Sequence, residues 1–131
     1  MSFEERLQIK YLSKSEDFVK AVMPVNDDVT QLFGYLHGGA TIALLETVAS
    51  VGSVNNCGPD EIAFGVDVHV AHRSNMRSGE VTGEARLAST DLTSKGYRRQ
   101  TWDVVARNPE GGVVSEGRVI CLIVPKSVVE G

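Results

Sequence analysis

No run in this chain stays apolar for the roughly 18–20 residues that a membrane-spanning helix needs, so no membrane span is expected. There is no basic excess either. Thirteen Lys and Arg stand against 17 Asp and Glu, a net charge of −4, which argues against a general nucleic-acid binder. Only two cysteines occur, Cys57 and Cys121, too few for a disulfide framework. The opening MSFEERLQIK is charged and lacks the apolar core of a secretion signal. These absences lead to the expectation of a reducing, cytoplasmic setting. Low-complexity runs, repeats and linkers are missing too, and no Cys/His/Asp spacing suggests a metal site. With 42% hydrophobic and 23% charged residues, the composition is that of a folded chain. Its 131 residues suit one domain, 1–131, with a substantial core.

What is present centres on Gln31–Asn56, QLFGYLHGGATIALLETVASVGSVNN. From Gly39 to Val54 nearly every residue is apolar or small, which predicts a buried helix from about Gly38 to Asn55. Cys57-Gly58-Pro59 ends it, since proline cannot continue a helix. One carboxylate, Glu46, sits in the middle. Inside an apolar helix a lone carboxylate is costly unless something pairs with it or uses it.

Around this helix the pattern is that of strands. Two precede it: the alternation Leu7–Tyr11, and Phe18–Val25, whose end Pro24 marks. Thr30–Leu36 reads as a short connector forming one tight helical turn. Four strands follow, over Ile62–His72, Glu80–Ser89, Tyr97–Arg107 and Val113–Val124. In the first, Phe64, Val66, Val68 and Val70 alternate against Gly65, Asp67 and His69. In the third, Trp102, Val104 and Ala106 share a face. Asn108–Gly112 is a hairpin turn signal. The closing PKSVVEG is expected to fray. The fold class is therefore α+β: about six antiparallel strands in a sheet curved enough to wrap one long helix. Such a sheet keeps an open edge that a second copy can cover.

By the three-and-four rule, Glu46 shares its helix face with Gly39, Ile42, Ala43, Ser50 and Ser53, most of them small. Either this face admits a ligand or backbone beside the carboxylate, or Glu46 lies on a solvated stripe. Two readings also fit His37-Gly38-Gly39. Glycines at a helix start let an anion reach free N–H groups, as in an oxyanion site; alternatively they only permit a tight turn. Gly38 and Glu46 are eight residues apart, about 12 Å along a helix. One helix cannot easily bring both to the same carbonyl carbon, so joint action implies two antiparallel helices in a symmetric dimer with composite sites.

The pattern Gln31-x-Phe33-Gly34-x-Leu36-His37-Gly38-Gly39-Ala40…Leu45-Glu46…Ser50 resembles the signature of hotdog-fold acyl-CoA thioesterases. It is most similar to the 4-hydroxybenzoyl-CoA and 1,4-dihydroxy-2-naphthoyl-CoA thioesterase type that carries Glu on the helix. Leu32 stands where one version of that motif has proline. The resemblance implies a hotdog domain whose dimers often pair into tetramers. It implies an acyl-CoA substrate, aromatic or medium-chain, and no cofactor, coenzyme A being part of the substrate. Glu46 would attack the thioester carbonyl or activate a water. Gly38 N–H would polarise the carbonyl, Gln31 would orient it, His37 would support the thiolate side, and Ser50 would position the water. The segment with His72, Arg73, Ser74 and Asn75 resembles one coenzyme A contact stretch, and Lys95, Gly96, Tyr97, Arg98 and Arg99 resemble a second. Two other readings remain, a hotdog hydratase or dehydratase and a non-catalytic acyl-CoA-binding protein. Cys57, Cys121 and His69 read as structural.

Overall fold

A computed structural model describes residues 1–130. The elements run α1 (Phe3–Arg6), β1 (Lys10–Lys14), β2 (Phe18–Pro24), α2 (Gly38–Val54), β3 (Glu61–His72), β4 (Glu80–Leu92), β5 (Arg98–Arg107), β6 (Val113–Pro125) and α3 (Lys126–Glu130). The six strands form a single antiparallel sheet in the order β1-β2-β4-β5-β6-β3. It packs against α2 from every strand except the edge strand β1. This is the curved-sheet, single-helix hotdog arrangement. No helix among the described residues is long and apolar enough to cross a membrane.

The core forms where the alternating faces of β2, β4 and β5 meet the helix. Val19, Ala21 and Met23, then Val81 and Ala85, then Trp102, Val104 and Ala106, are buried against Leu44, Leu45, Val48 and Ala49. The depth and rotation of α2 are set near its C-terminal end. Gly52 lies so close to the Trp102 indole that a methyl group there would overlap the ring. Beside it, Ser53 Oγ accepts from Trp102 Nε1 (2.8 Å) and donates to Gln100 Oε1 (2.8 Å). Asn56 Nδ2 reaches the same Gln100 oxygen at 3.2 Å. Three buried polar groups under the helix, with the half-buried Asn56 beside them, are thereby satisfied by one another, which is what burial of polar atoms requires.

Several boundaries differ from the sequence expectation, each for a local reason. Residues 3–6 are helical, and the first strand starts later, at Lys10. Ser2 and Glu5 close a capping box, with Ser2 Oγ accepting from Glu5 N and the Glu5 carboxylate turning back to Ser2. The 31–36 connector is a turn rather than a helical one: Gln31 N–H donates to Tyr35 O, Thr30 and Leu36 bridge, and Gly34 sits at φ +88°, where only glycine is unstrained. The C-terminal segment Lys126–Glu130 is a short helix instead of a frayed tail.

β3 breaks the expected alternation. A bulge between Gly65 and Asp67 inserts one residue against β6, so the inward face passes from Ala63 and Gly65 to Val68 and Val70. Phe64 and Val66 are consequently exposed instead of sharing a face with Val68 and Val70.

Gly52→Ala is expected to lower unfolding free energy by about 1–3 kcal/mol or more through overpacking against Trp102. Ser53→Ala, which strands the indole N–H, should cost about 1–3 kcal/mol. Urea denaturation followed by Trp102 fluorescence measures both, and an unchanged midpoint for either variant would contradict the packing described.

Candidate active site

Backbone hydrogen bonds fix the start of α2. Leu36 N–H donates to Met76 O (2.7 Å) and His37 N–H to Val29 O (2.8 Å). The His37 side chain is the helix N-cap: Nδ1 accepts from Gly39 N at 2.8 Å. His37 thus serves the helix directly, and it leaves Gly38 N–H as a donor with no protein acceptor among the described residues. The Gln31 carboxamide oxygen accepts from Phe33 N (2.6 Å) and Tyr35 N (3.1 Å). Its NH2 group is therefore the end left over to meet a ligand.

Gln31 and Gly38 line a cavity of about 210 Å³ together with His72, Ser74, Asn75 and Ser115. Of the residues expected at a substrate site, five meet here. His72 reaches the helix start itself: a Cβ on Gly38 would come to 2.6 Å from His72 Nε2. The other ring nitrogen, Nδ1, is hydrogen-bonded to the buried Ser115 hydroxyl at 2.7 Å. Ser115 went unnoticed in the sequence because nothing in the alternation of β6 marks it. Only the β3–β6 register, which places His72 opposite Ser115, reveals it.

Glu46 lies in a different cavity, about 650 Å³, lined by the outer face of α2 (Gly39, Ile42, Ala43, Thr47, Ser50, Val51, Val54) and by Ser2, Phe3 and Glu4 of the N-terminal turn. Its carboxylate is seated against the bulge of β3. A Cβ on Gly65 would stand 2.7 Å from Oε2, so a glycine is needed for the close approach. Gly65 is the residue that sequence reasoning missed; an isolated glycine within an alternating strand was its signal. Glu46, Ser50 and Ser53 form one stripe that crosses three strands in turn. Glu46 meets Gly65 on β3, Ser50 Oγ stands 4.0 Å from Cys121 Sγ on β6, and Ser53 reaches Trp102 and Gln100 on β5.

The remaining candidates occupy opposite ends of the sheet. Arg73 pairs with Glu116 at 3.2 Å and Ser74 Oγ donates to Val113 O at 2.8 Å, both at the His72 end. Lys95, Gly96 and Tyr97 make the β4–β5 turn, closed by Tyr97 N–H to Thr93 Oγ1 (3.1 Å). Arg98 is held by Glu61 (2.5 Å) and Asn56 O (3.2 Å). Arg99 grips Asp91 with Nε and a terminal nitrogen at 3.1 and 2.6 Å. That pair of hydrogen bonds holds the Asp91 carboxyl below its ordinary value. In register, His72 faces Ser115 while Arg98 faces Ile123, a separation of about 26 Å along β6 at ~3.3 Å per residue. Within one protomer the two stretches do not meet.

No cluster of three or more metal-ligating side chains occurs among the described residues. Burial pushes the Cys121 thiol up from its ordinary value, and burial followed by the Glu61 charge does the same for Cys57.

The family described as Thioesterase superfamily matches residues 33–115. The 1,4-dihydroxy-2-naphthoyl-CoA hydrolase of Listeria monocytogenes is 32% identical over 104 residues, 79% of this chain and 80% of that one. The proofreading thioesterase EntH of Cronobacter turicensis is 30% identical over 107 residues, 82% of this chain and 74% of that one. A crystallised thioesterase from Haemophilus influenzae superposes with a TM-score of 0.85 at 29% identity, covering 95% of this chain and 84% of that one.

A raised thiol pKa leaves less thiolate at a given pH, so both cysteines should react more slowly at pH 8 than free cysteine and faster as pH rises. Cys121 should label only on unfolding. Mass spectrometry after disulfide-reagent labelling, with and without urea, checks this; rapid labelling of both thiols in the native protein would contradict it.

Proposed function

The chain belongs to the Thioesterase superfamily, and from that premise we propose that it hydrolyses the thioester of an acyl-CoA at a site shared between two protomers. Water adds to the thioester carbonyl, the C–S bond breaks, and free acid and coenzyme A leave. No cofactor takes part. Glu46 is the catalytic carboxylate, attacking the carbonyl carbon or removing a proton from the attacking water. The Gly38 N–H at the positive end of α2 takes the developing oxyanion. The Gln31 NH2 orients the carbonyl, Ser50 positions the water one turn beyond Glu46, and His37 keeps the Gly38 turn in place.

The observation that carries this reading is where Glu46 sits. Its carboxylate lies over Gly65, on the unpaired edge strand, while Gln31 and Gly38 line another cavity. The sheet's two edges differ. β1 has five residues and carries Lys10 and Lys14, which blunts it. β3 has twelve, with Phe64 and Val66 exposed. Antiparallel pairing of two β3 edges about a two-fold axis sets the Glu46 of one protomer toward the Gly38 end of the other. The same operation carries the Lys95–Arg99 end of one sheet to the His72–Asn75 end of its neighbour, where both could flank the coenzyme A moiety. Pairing of such dimers into a tetramer fits the same reading.

Thiol release from acyl-CoAs should fall about 10³-fold or more in Glu46→Ala, the scale of losing a catalytic group. Gly65→Ala should lower kcat by displacing the carboxylate. Turnover by Glu46→Ala at the parent rate, hydration of crotonyl-CoA without thiol release, or binding without turnover would each overturn the proposal. Mixing Glu46→Ala with Gln31→Ala subunits tests composition of the site. A statistical mixture of shared-site dimers recovers roughly a quarter of the intact sites, whereas sites contained within one protomer recover none.

A further inference from the structure

Two nitrogens without a protein partner stand together at the start of α2. One is the Gly38 amide. The other is His72 Nε2, which lies so close over Gly38 that any side chain there would strike the ring. Among the described residues Nε2 has no hydrogen-bond partner, while Nδ1 is held at 2.7 Å by Ser115 Oγ. His72 stands exposed at the end of β3, and the Ser115 beneath it is completely buried. A buried hydroxyl hydrogen needs an acceptor. Among the described residues Ser115 Oγ has no partner except His72 Nδ1, so the hydroxyl donates and Nδ1 accepts. That places the ring proton on Nε2, the nitrogen lying against Gly38. His37, the other imidazole at this turn, uses its own Nδ1 to cap the helix at Gly39 N–H.

We propose that Ser115 is a positioning residue: it aims the Nε2–H of His72 at the sulfur of the scissile thioester, where that donor stabilises the thiolate as the C–S bond breaks. The inference rests on the thioesterase reading above. In that reading Gly38 N–H and the Gln31 NH2 meet the carbonyl oxygen, and the second protomer's Glu46 serves the carbon. The sulfur is left without a partner. It leads into coenzyme A, and His72 stands on that side: Ser74 and Asn75 follow it along the chain and line the same cavity as Gln31 and Gly38. The electron pair of the breaking bond goes to sulfur. Nε2 keeps its proton and gives a hydrogen bond only. The departing thiolate takes a proton from water, so one water is consumed and no other co-reactant is needed. A donor aimed at charge that develops in the transition state raises kcat rather than affinity. The tautomer decides the sign, because a ring protonated on Nδ1 would turn a lone pair toward the developing thiolate and repel it.

The test compares thiol release from an acyl-CoA with release from the same acyl group on p-nitrothiophenol, whose thiolate delocalises its charge and leaves with little help. In His72→Ala, kcat should fall about 10²-fold with the acyl-CoA and less than about five-fold with the nitrothiophenyl ester. His72→Gln, whose amide N–H takes the place of Nε2–H, should return kcat to within about ten-fold of the parent, and the shorter His72→Asn should not. Ser115→Ala keeps the ring but frees its tautomer and orientation, so it should show the same leaving-group dependence at roughly ten-fold in kcat. Nitrogen NMR of the imidazole rings at alkaline pH should find the His72 proton on Nε2 in the parent and partly on Nδ1 in Ser115→Ala. A proton on Nδ1 in the parent overturns the proposal. So does an equal loss with both leaving groups, or a loss confined to KM, which would make His72 a coenzyme A contact only. If the parent releases no thiol from any acyl-CoA, the hydrolase reading fails and this inference with it. If the parent hydrolyses acyl-CoAs and His72→Ala matches it on both esters, this inference alone fails.

Discussion

The contact between Gly52, Ser53 and Trp102 governs everything that α2 presents to the outside. A buried helix with apolar residues on nearly all sides has no strong rotational preference from burial alone, because several rotations hide similar area. The indole removes that freedom. Only a residue without a side chain fits against the ring, and only an acceptor beside it satisfies the buried N–H. Once Ser53 must point at Trp102, the helical repeat directs Ser50 to β6 and Glu46 to β3. The carboxylate therefore arrives at the sheet edge as a consequence of packing two turns away.

Edge strands are ordinarily a liability, and this sheet treats its two edges in opposite ways. At one end, a short strand with two lysines discourages further pairing. At the other, twelve residues stay open, and the bulge at Gly65–Asp67 turns a glycine toward the helix. A bulge both bends the strand and re-aims its side chains. Here it clears the space that the Glu46 carboxylate occupies. Strand irregularity and carboxylate position are one feature, which is why Gly65 matters as much as the acid it faces.

Much of this was legible in the sequence because the patterns were long. The helix expected over Gly38–Asn55 is found over Gly38–Val54, and the four strands after it lie within a few residues of their expected limits. Burial of Trp102, Val104 and Ala106 on one face of β5 follows from simple alternation. What escaped was short or relational. Ser2-Phe3-Glu4-Glu5 contains the capping-box spacing, yet four residues carry too little periodicity to outweigh the strand-like run after them. The bulge depends on a pairing register that a single strand does not encode. Ser115 acquires meaning only when the register sets it opposite His72, and the ion pairs of Arg98 and Arg99 only when the start of β3 and the end of β4 supply Glu61 and Asp91.

Those ion pairs sharpen what the basic residues can contribute. An arginine already bound to a carboxylate offers a phosphate only its remaining donors, and a shift of partner must break existing hydrogen bonds. Arg98 is committed to Glu61 and to the Asn56 carbonyl just past the end of α2, so it ties the sheet to the chain leaving the helix. Arg99 is shared with Asp91 on an exposed strand face, where salt and solvent weaken the pair and exchange is cheap. Arg77 has another arrangement, with its guanidinium stacked 4.8 Å from the centre of the Tyr35 ring and no carboxylate partner among the described residues. Stacking leaves the in-plane N–H donors unused. Arg77, beside Gly34 in the Gln31–Gly38 turn, thus keeps its in-plane hydrogen bonds available to a phosphate.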